Sequence, residues 1–179
     1  MTGAVTVELV PADAAGDDAF LAGAAGLINR VYAVAERGLW RDGVQRTDGP
    51  ELAGIVRAGE LAVARLDGRL VGAVRVQRLD DRLGEFGMLV ADPAYRGVGI
   101  GRALVTFAED WAHRQRLAVM QLEVLVPRTW RHPAKEFVRA WYTRRGYRHV
   151  RTDRLADAYP QLPPLLATPC DFLIYHKPL

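Results

Sequence analysis

Arg96-Gly97-Val98-Gly99-Ile100-Gly101-Arg102 is a basic, glycine-rich turn between an apolar strand-like run, residues 86–91, and a run with helical periodicity. Three glycines within five residues let the backbone approach a ligand and turn several N–H groups toward it. The flanking charges are arginines, whereas an ordinary helix start carries Asp or Glu in its first turn. The stretch therefore predicts an anion-binding helix start that holds a phosphate group.

Two well-known phosphate-binding motifs differ from this turn. A P-loop carries Lys and then Ser or Thr after its last glycine, but here Arg102 and Ala103 follow Gly101. The dinucleotide fingerprint shares Gly97-x-Gly99, and Glu123 could bind a ribose, but its third glycine is replaced by Arg102. Three strand-like runs also precede the turn, in a fold that normally begins with it. The P-loop is excluded, and a dinucleotide-binding oxidoreductase remains an alternative.

Two sequence patterns, one within this turn and one later in the chain, support a more specific interpretation. The pattern Arg-x-x-Gly-x-Gly, carried by Arg96, Gly99 and Gly101, resembles the coenzyme A-binding signature of the GCN5-related N-acetyltransferases, the GNAT family. Tyr142-x-x-x-Gly146-Tyr147 resembles the family's late motif, and the resemblance covers roughly residues 60 to 150. It implies an enzyme that uses acetyl-CoA and binds its pyrophosphate with residues 96–102.

The strand before the turn contains Gly87, and a glycine inside a strand often marks a bulge. In the family, the corresponding strand bulges and splays from its parallel neighbour, and the pantetheine arm lies in the gap. The resemblance implies that the backbone of Met88, Leu89 and Val90 contacts this arm.

Acetylation of an amine with a pKa near 10.4 needs a group that accepts a proton. Glu85 is the first candidate, because some family members place a catalytic glutamate eleven residues before the position of Arg96. Glu123 occupies the position that other members use on the neighbouring strand. Tyr142 corresponds to the family's general acid, which protonates the leaving thiolate, and a purely structural role is the alternative for all three. Cys170 lies far from these motifs, so the resemblance implies direct attack of the amine on the thioester.

The acceptor side of the site is less well defined. Residues 38–50 form a polar segment, and in relatives this region commonly lines the acceptor site, so Trp40 and Arg41 are candidate substrate-binding residues. Relatives often have Asn in the loop before the last helix. Here a longer segment, residues 127–133, replaces it, so contacts normally made by that Asn are not expected.

Hydrophobic periodicity predicts an alternation of strands and helices in one domain over residues 1–179. Together with the resemblance, this implies a mixed α/β (α+β) fold, with a mostly antiparallel sheet of about seven strands, a splayed parallel strand pair and about four helices. The predicted strands are 5–9, 61–66, 70–77, 84–91, 119–126, 147–152 and 172–176, and the predicted helices are 17–32, 51–58, 98–115 and 134–145.

Composition sets the remaining limits. A chain of 179 residues with 50% apolar and 25% charged residues is typical of a soluble globular protein, and a scattered net charge of +3 disfavours nucleic-acid binding. Cys170 is the only cysteine and the four histidines are dispersed, so neither a disulfide nor a metal is expected. With no leader or membrane-spanning run in the sequence, the expectation is a cytoplasmic monomer or homodimer that acetylates a small-molecule or peptide amine. The alternative is a non-catalytic acyl-CoA-binding or regulatory module.

Overall fold

The computed structural model describes residues 3–179, and a seven-stranded sheet with helices on both faces forms its centre. The strands are β1 (Val5–Leu9), β2 (Leu61–Leu66), β3 (Arg69–Arg78), β4 (Leu83–Ala91), β5 (Val119–Pro127), β6 (Arg148–Arg154) and β7 (Cys170–Pro178). The helices are α1 (Asp18–Ala35), α2 (Gly49–Arg57), α3 (Ile100–Arg114), α4 (Pro133–Arg144) and the single turn α5 (Leu155–Ala158). None of the helices within residues 3–179 has the length and apolar character needed to cross a membrane.

The order across the sheet is β1-β2-β3-β4-β5-β7-β6, and every neighbouring pair is antiparallel except β4 and β5. This confirms the predicted mixed, mostly antiparallel sheet with one parallel pair. The short helix α5 is an addition to the four helices that the periodicity predicts. Strand β7 lies between β5 and β6, so the last strand of the chain is an inner strand of the sheet.

Local sequence signals explain where most elements begin and end. Asp17 and Asp48 cap α1 and α2, since each side chain accepts a hydrogen bond from the backbone N–H three residues later. Asp67 and Gly68 have positive φ angles of 50° and 79°, as a tight hairpin between β2 and β3 requires. Gly146, with φ 97°, ends α4.

The core has one layer on each face of the sheet. Helix α3 packs on one face, and α1 and α2 pack on the other. Gly72 of β3 allows α3 to approach closely, because a Cβ there would lie 2.7 Å from the Ile100 side chain and 2.8 Å from the Val90 carbonyl oxygen. The start of α3 is thus held directly against the sheet.

Strand β4 contains a β-bulge in its middle. Ala73 of β3 pairs with Val90 and Arg75 pairs with Gly87, so β4 has one more residue than β3 over this stretch. The bulge expected at Gly87 therefore exists, but the residue with positive φ is Met88, at 50°. Gly87 keeps a paired position because the extra residue is accommodated one step further along the strand.

The parallel pair separates just before this bulge. Pairing of β4 with β5 covers three residues and ends where Glu85 lies opposite Gln121. Side chains next to the split face opposite layers, since Phe86 packs in the α3 layer and Met88 in the α1 and α2 layer. Beyond Glu85, the edge of β4 that faces β5 has no strand partner, and a gap opens between the two strands.

Candidate active site

A cavity of about 740 Å³ lies next to this gap. Its walls come from α1, the loop after α1, strands β3 to β5, and the segment around residues 159–165. Five of the residues singled out in the sequence line it, namely Trp40, Arg41, Glu85, Met88 and Glu123. Three parts of the chain, the loop after α1, β4 and β5, thus place the predicted acceptor-binding residues and the predicted bases around one cavity.

Two carboxylates from neighbouring strands lie in the wall of the cavity. Glu85 of β4 accepts a hydrogen bond of 2.6 Å from Gln121 Nε2, and Gln121 Oε1 lies 2.8 Å from His176 Nε2. Glu123 of β5 accepts a hydrogen bond of 2.9 Å from the Tyr159 hydroxyl. Each carboxylate therefore has one neutral hydrogen-bond donor and forms no ion pair among residues 3–179.

The environment of these carboxylates raises both pKa values. Burial raises the pKa of Glu85, and the hydrogen bond from Gln121 opposes that rise. Burial and then the negative charge of Glu85 raise the pKa of Glu123 to about 7, against the hydrogen bond from Tyr159. Burial lowers the pKa of His176. Near neutral pH, Glu123 can therefore both accept and release a proton.

Replacing Tyr159 by Phe is expected to raise the pKa of Glu123 further, because the charged carboxylate then loses its donor. The measurement is a carbon-13 NMR titration of the Glu123 carboxyl in both proteins. Tyr175→Phe is a matched control, since the Tyr175 hydroxyl bonds to Arg139 and not to Glu123. An unchanged pKa of Glu123 in Tyr159→Phe would show that the hydrogen bond contributes nothing to it.

Tyr142 is buried and is not among the residues that line the cavity. Its ring packs against Phe86, Trp141 and Tyr147 at centroid distances of 5.0 to 5.9 Å, and only Phe86 of these three lines the cavity. Burial raises the pKa of Tyr142, so the hydroxyl keeps its proton at neutral pH. Within residues 3–179, this hydroxyl forms no hydrogen bond. It is thus free to donate one to a ligand.

Trp40 is held by a hydrogen bond to a residue nearby in the chain, and Arg41 by one to a distant residue. The Trp40 indole N–H donates to Glu36 at 2.5 Å, and Arg41 Nε donates to the Leu166 carbonyl oxygen at 3.1 Å. Glu36 is buried and also binds Lys135. Both predicted substrate-binding residues therefore line the cavity while they also hold its loops together.

The glycine-rich turn forms the start of α3, as predicted. Gly97 and Gly99 have φ angles of 85° and 90°, and no side chain caps the helix. Five backbone N–H groups form no hydrogen bond to another described residue, namely those of Gly97, Gly99, Ile100, Gly101 and Arg102. Neither Arg96 nor Arg102 pairs with a carboxylate in the described part of the chain. This arrangement can bind an anion.

Cys170 lies apart from this chemistry. It is buried in a separate cluster with Leu39, Leu125 and Leu155. Burial raises the pKa of its thiol to about 11, so the thiol is protonated at neutral pH. A buried, protonated thiol is a poor nucleophile.

Sequence reasoning missed four residues of the candidate site, namely Gln121, Tyr159 and His176, described above, and Arg46, which also lines the cavity. One signal could have found Gln121, since residues two apart on a strand share a face and Gln121 precedes Glu123 by two. The histidine was expected to be isolated, but β7 brings it opposite Gln121. Nothing in the local sequence marks Tyr159 or Arg46.

The comparison with family models decides the family. The model of the acetyltransferase (GNAT) family matches residues 29–147, about two thirds of the chain. The chain belongs to the GNAT family. The resemblance seen in the sequence is thereby confirmed, and with it an acyltransferase fold. A search of curated protein sequences found no match.

Solved structures support the GNAT fold. The PaiA N-acetyltransferase from Thermoplasma acidophilum, crystallised with coenzyme A, superposes with a TM-score of 0.72 at 14% identity, over 98% of this chain and 99% of that one. An acetyltransferase from Streptococcus agalactiae gives 0.68 at 17% identity, over 98% of both chains. A GNAT acetyltransferase from Elizabethkingia anophelis with acetyl-CoA bound gives 0.57 at 14% identity, over 79% of this chain and 95% of that one.

Proposed function

We propose that this GNAT protein transfers the acetyl group of acetyl-CoA to a primary amine, with Glu123 as the general base. The observation that carries the proposal is a cavity-lining carboxylate whose pKa is about 7, on the strand that borders the gap in the sheet. A base works best when its pKa lies near the working pH.

The residues present fit acetyl-CoA as the co-substrate. Free N–H groups at the start of α3, with Arg96 and Arg102 beside them, suit its pyrophosphate. The unpaired edge of β4, which includes Met88, Leu89 and Val90, offers backbone groups to the pantetheine arm. When bound, acetyl-CoA supplies an activated carbonyl carbon and a thiolate leaving group.

The division of work between the two carboxylates follows from their surroundings. An alkyl ammonium group with a pKa near 10.4 costs roughly 4–5 kcal/mol to deprotonate at pH 7. Glu123 accepts this proton on its carboxylate. Burial raises the pKa of Glu85, the hydrogen bond from Gln121 opposes that rise, and the negative charge of Glu85 raises the pKa of Glu123.

In this proposal Tyr142 acts on the leaving group, the thiolate of coenzyme A. Its raised pKa lies above that of an ordinary thiol, about 8.5, so the phenol does not give up its proton completely. We infer that the Tyr142 hydroxyl donates a hydrogen bond to the leaving sulfur. This stabilises the negative charge that develops on the sulfur.

Calorimetric titration with acetyl-CoA, coenzyme A and NAD(P), followed by a thiol-release assay over a panel of amines, tests the proposed function. The expected result is binding of both coenzyme A forms, no binding of NAD(P), and thiol release that depends on an amine. Binding without release on any amine would favour the non-catalytic acyl-CoA-binding module. Binding of NAD(P) alone would favour the dinucleotide alternative and overturn the proposal.

A further inference from the structure

The charges around the cavity are of both signs. Five acidic and five basic residues line it, namely Glu36, Asp42, Glu51, Glu85 and Glu123, and Arg37, Arg41, Arg46, Arg75 and Lys135. Two of the basic residues are neutralised within the protein, since Arg75 pairs with Glu60 at 2.6 Å and Lys135 pairs with Glu36 at 2.5 Å. The three other arginines pair with no carboxylate in residues 3–179.

Arg46 is the most enclosed of these three arginines. Its side chain is half-buried, whereas Arg37 and Arg41 are exposed. The guanidinium carbon lies 5.4 Å from the centroid of the Tyr32 ring, which also lines the cavity. A side-chain hydrogen bond between Arg46 and Tyr32 lowers the pKa of Tyr32, and Arg46 pairs with no carboxylate among residues 3–179. An enclosed cation without a counter-ion is costly unless a ligand supplies one.

The surroundings of Arg46 place it near the proposed base. Burial raises the pKa of both Tyr32 and Tyr159, and the positive charge of Arg46 opposes the rise in each. Tyr159 donates directly to Glu123, and Arg46, Tyr159 and Glu123 line the same cavity. A ligand that reaches both groups needs an anionic end and an amine end.

We propose that the acceptor amine is a zwitterion, a free amino acid or a related amino carboxylate, whose carboxylate binds Arg46 while its amine faces Glu123. The proposal rests on the proposed function and names the substrate class for the same site. Guanidinium is the side-chain group best suited to a carboxylate, because its planar fork can donate two parallel hydrogen bonds. A polyamine lacks the anion that Arg46 would bind.

The test compares acceptors with and without a carboxylate. Free amino acids, their carboxamides and 1,4-diaminobutane are assayed by thiol release, with calorimetry for coenzyme A binding in parallel. For the wild-type protein, kcat/KM for the best amino acid is expected to exceed that of its amide by about tenfold to a hundredfold. Arg46→Gln is expected to remove most of this ratio and to leave the affinity for coenzyme A unchanged.

Two variants sharpen the comparison. Arg57→Gln removes an equal charge from the last turn of α2, outside the cavity, and is expected to keep the wild-type ratio. Arg46→Lys keeps the positive charge but lacks the parallel N–H donors of guanidinium. It is expected to show part of the wild-type preference for the amino acid over its amide.

The outcomes separate this inference from the proposed function. Acetylation of amides or of 1,4-diaminobutane as fast as of amino acids would overturn the zwitterion while the acetyltransferase proposal stands. Turnover of other amines but of no amino acid would do the same. No binding of coenzyme A in any form would overturn the proposed function itself. The ratio of kcat/KM for the best amino acid to that for its amide, measured in the wild-type protein, tests the zwitterion proposal even if Arg46→Gln fails to fold.

Discussion

Replacing Glu123 by Gln is expected to lower kcat by about a hundredfold to ten-thousandfold while coenzyme A still binds. The amide has nearly the same shape and still accepts a hydrogen bond from Tyr159, but it cannot take up the proton of the ammonium group. The measurements are thiol release at saturating acetyl-CoA and amine, and calorimetry with coenzyme A. Full turnover in this variant would show that another group is the base.

The pH dependence identifies the base independently. Since the pKa of Glu123 is about 7 and the ionised form is the active one, kcat/KM is expected to rise with pH through about 7. Glu85→Gln is the matched control, because it removes the neighbouring negative charge that raises the pKa of Glu123. Its acidic limb should therefore move to lower pH, with most of the plateau rate kept. If Glu85 were the base instead, Glu85→Gln would lose the rate and Glu123→Gln would keep it.

The features that the sequence predicted correctly depend on residues close together in the chain. The turn at residues 96–102 is one example, because glycine content, flanking arginines and the absence of an acidic residue are all local signals. Asp67 and Gly68 predicted their hairpin for the same reason. The order of neighbouring strands β2 to β4 then follows from short connections, which favour antiparallel neighbours.

The features that the sequence left undetermined depend on long-range pairing. His176 reaches Gln121 only because β7 enters the sheet between β5 and β6, and local periodicity carries no information on strand order. Tyr159 comes from a segment without regular pattern and reaches Glu123 across 36 residues. The position of the bulge, at Met88 and not at Gly87, depends on the register with β3.

Replacing Gly99 by Val is expected to weaken coenzyme A binding by at least about a hundredfold, since each hydrogen bond to a charged group contributes about 1.5–3 kcal/mol and several depend on this backbone. Gly99 has φ 90°, a conformation that a β-branched residue avoids. Adding a Cβ meets no atom within 4 Å, so the effect arises from the backbone angle and not from a clash in the core. The backbone is expected to relax and to turn its N–H groups away from the anion.

Gly54→Ala in α2 is the matched control, because it also adds a Cβ to open space but at a residue without positive φ. It should leave coenzyme A binding unchanged. Thermal unfolding of both variants separates loss of the site from loss of the fold, since a strained residue costs about 1–3 kcal/mol of stability. If Gly99→Val binds coenzyme A as tightly as the wild-type protein, the start of α3 does not hold the pyrophosphate. The free N–H groups of residues 97–102 would then be hydrated as at an ordinary helix start, since Arg96, Gly97, Gly99 and Arg102 are exposed.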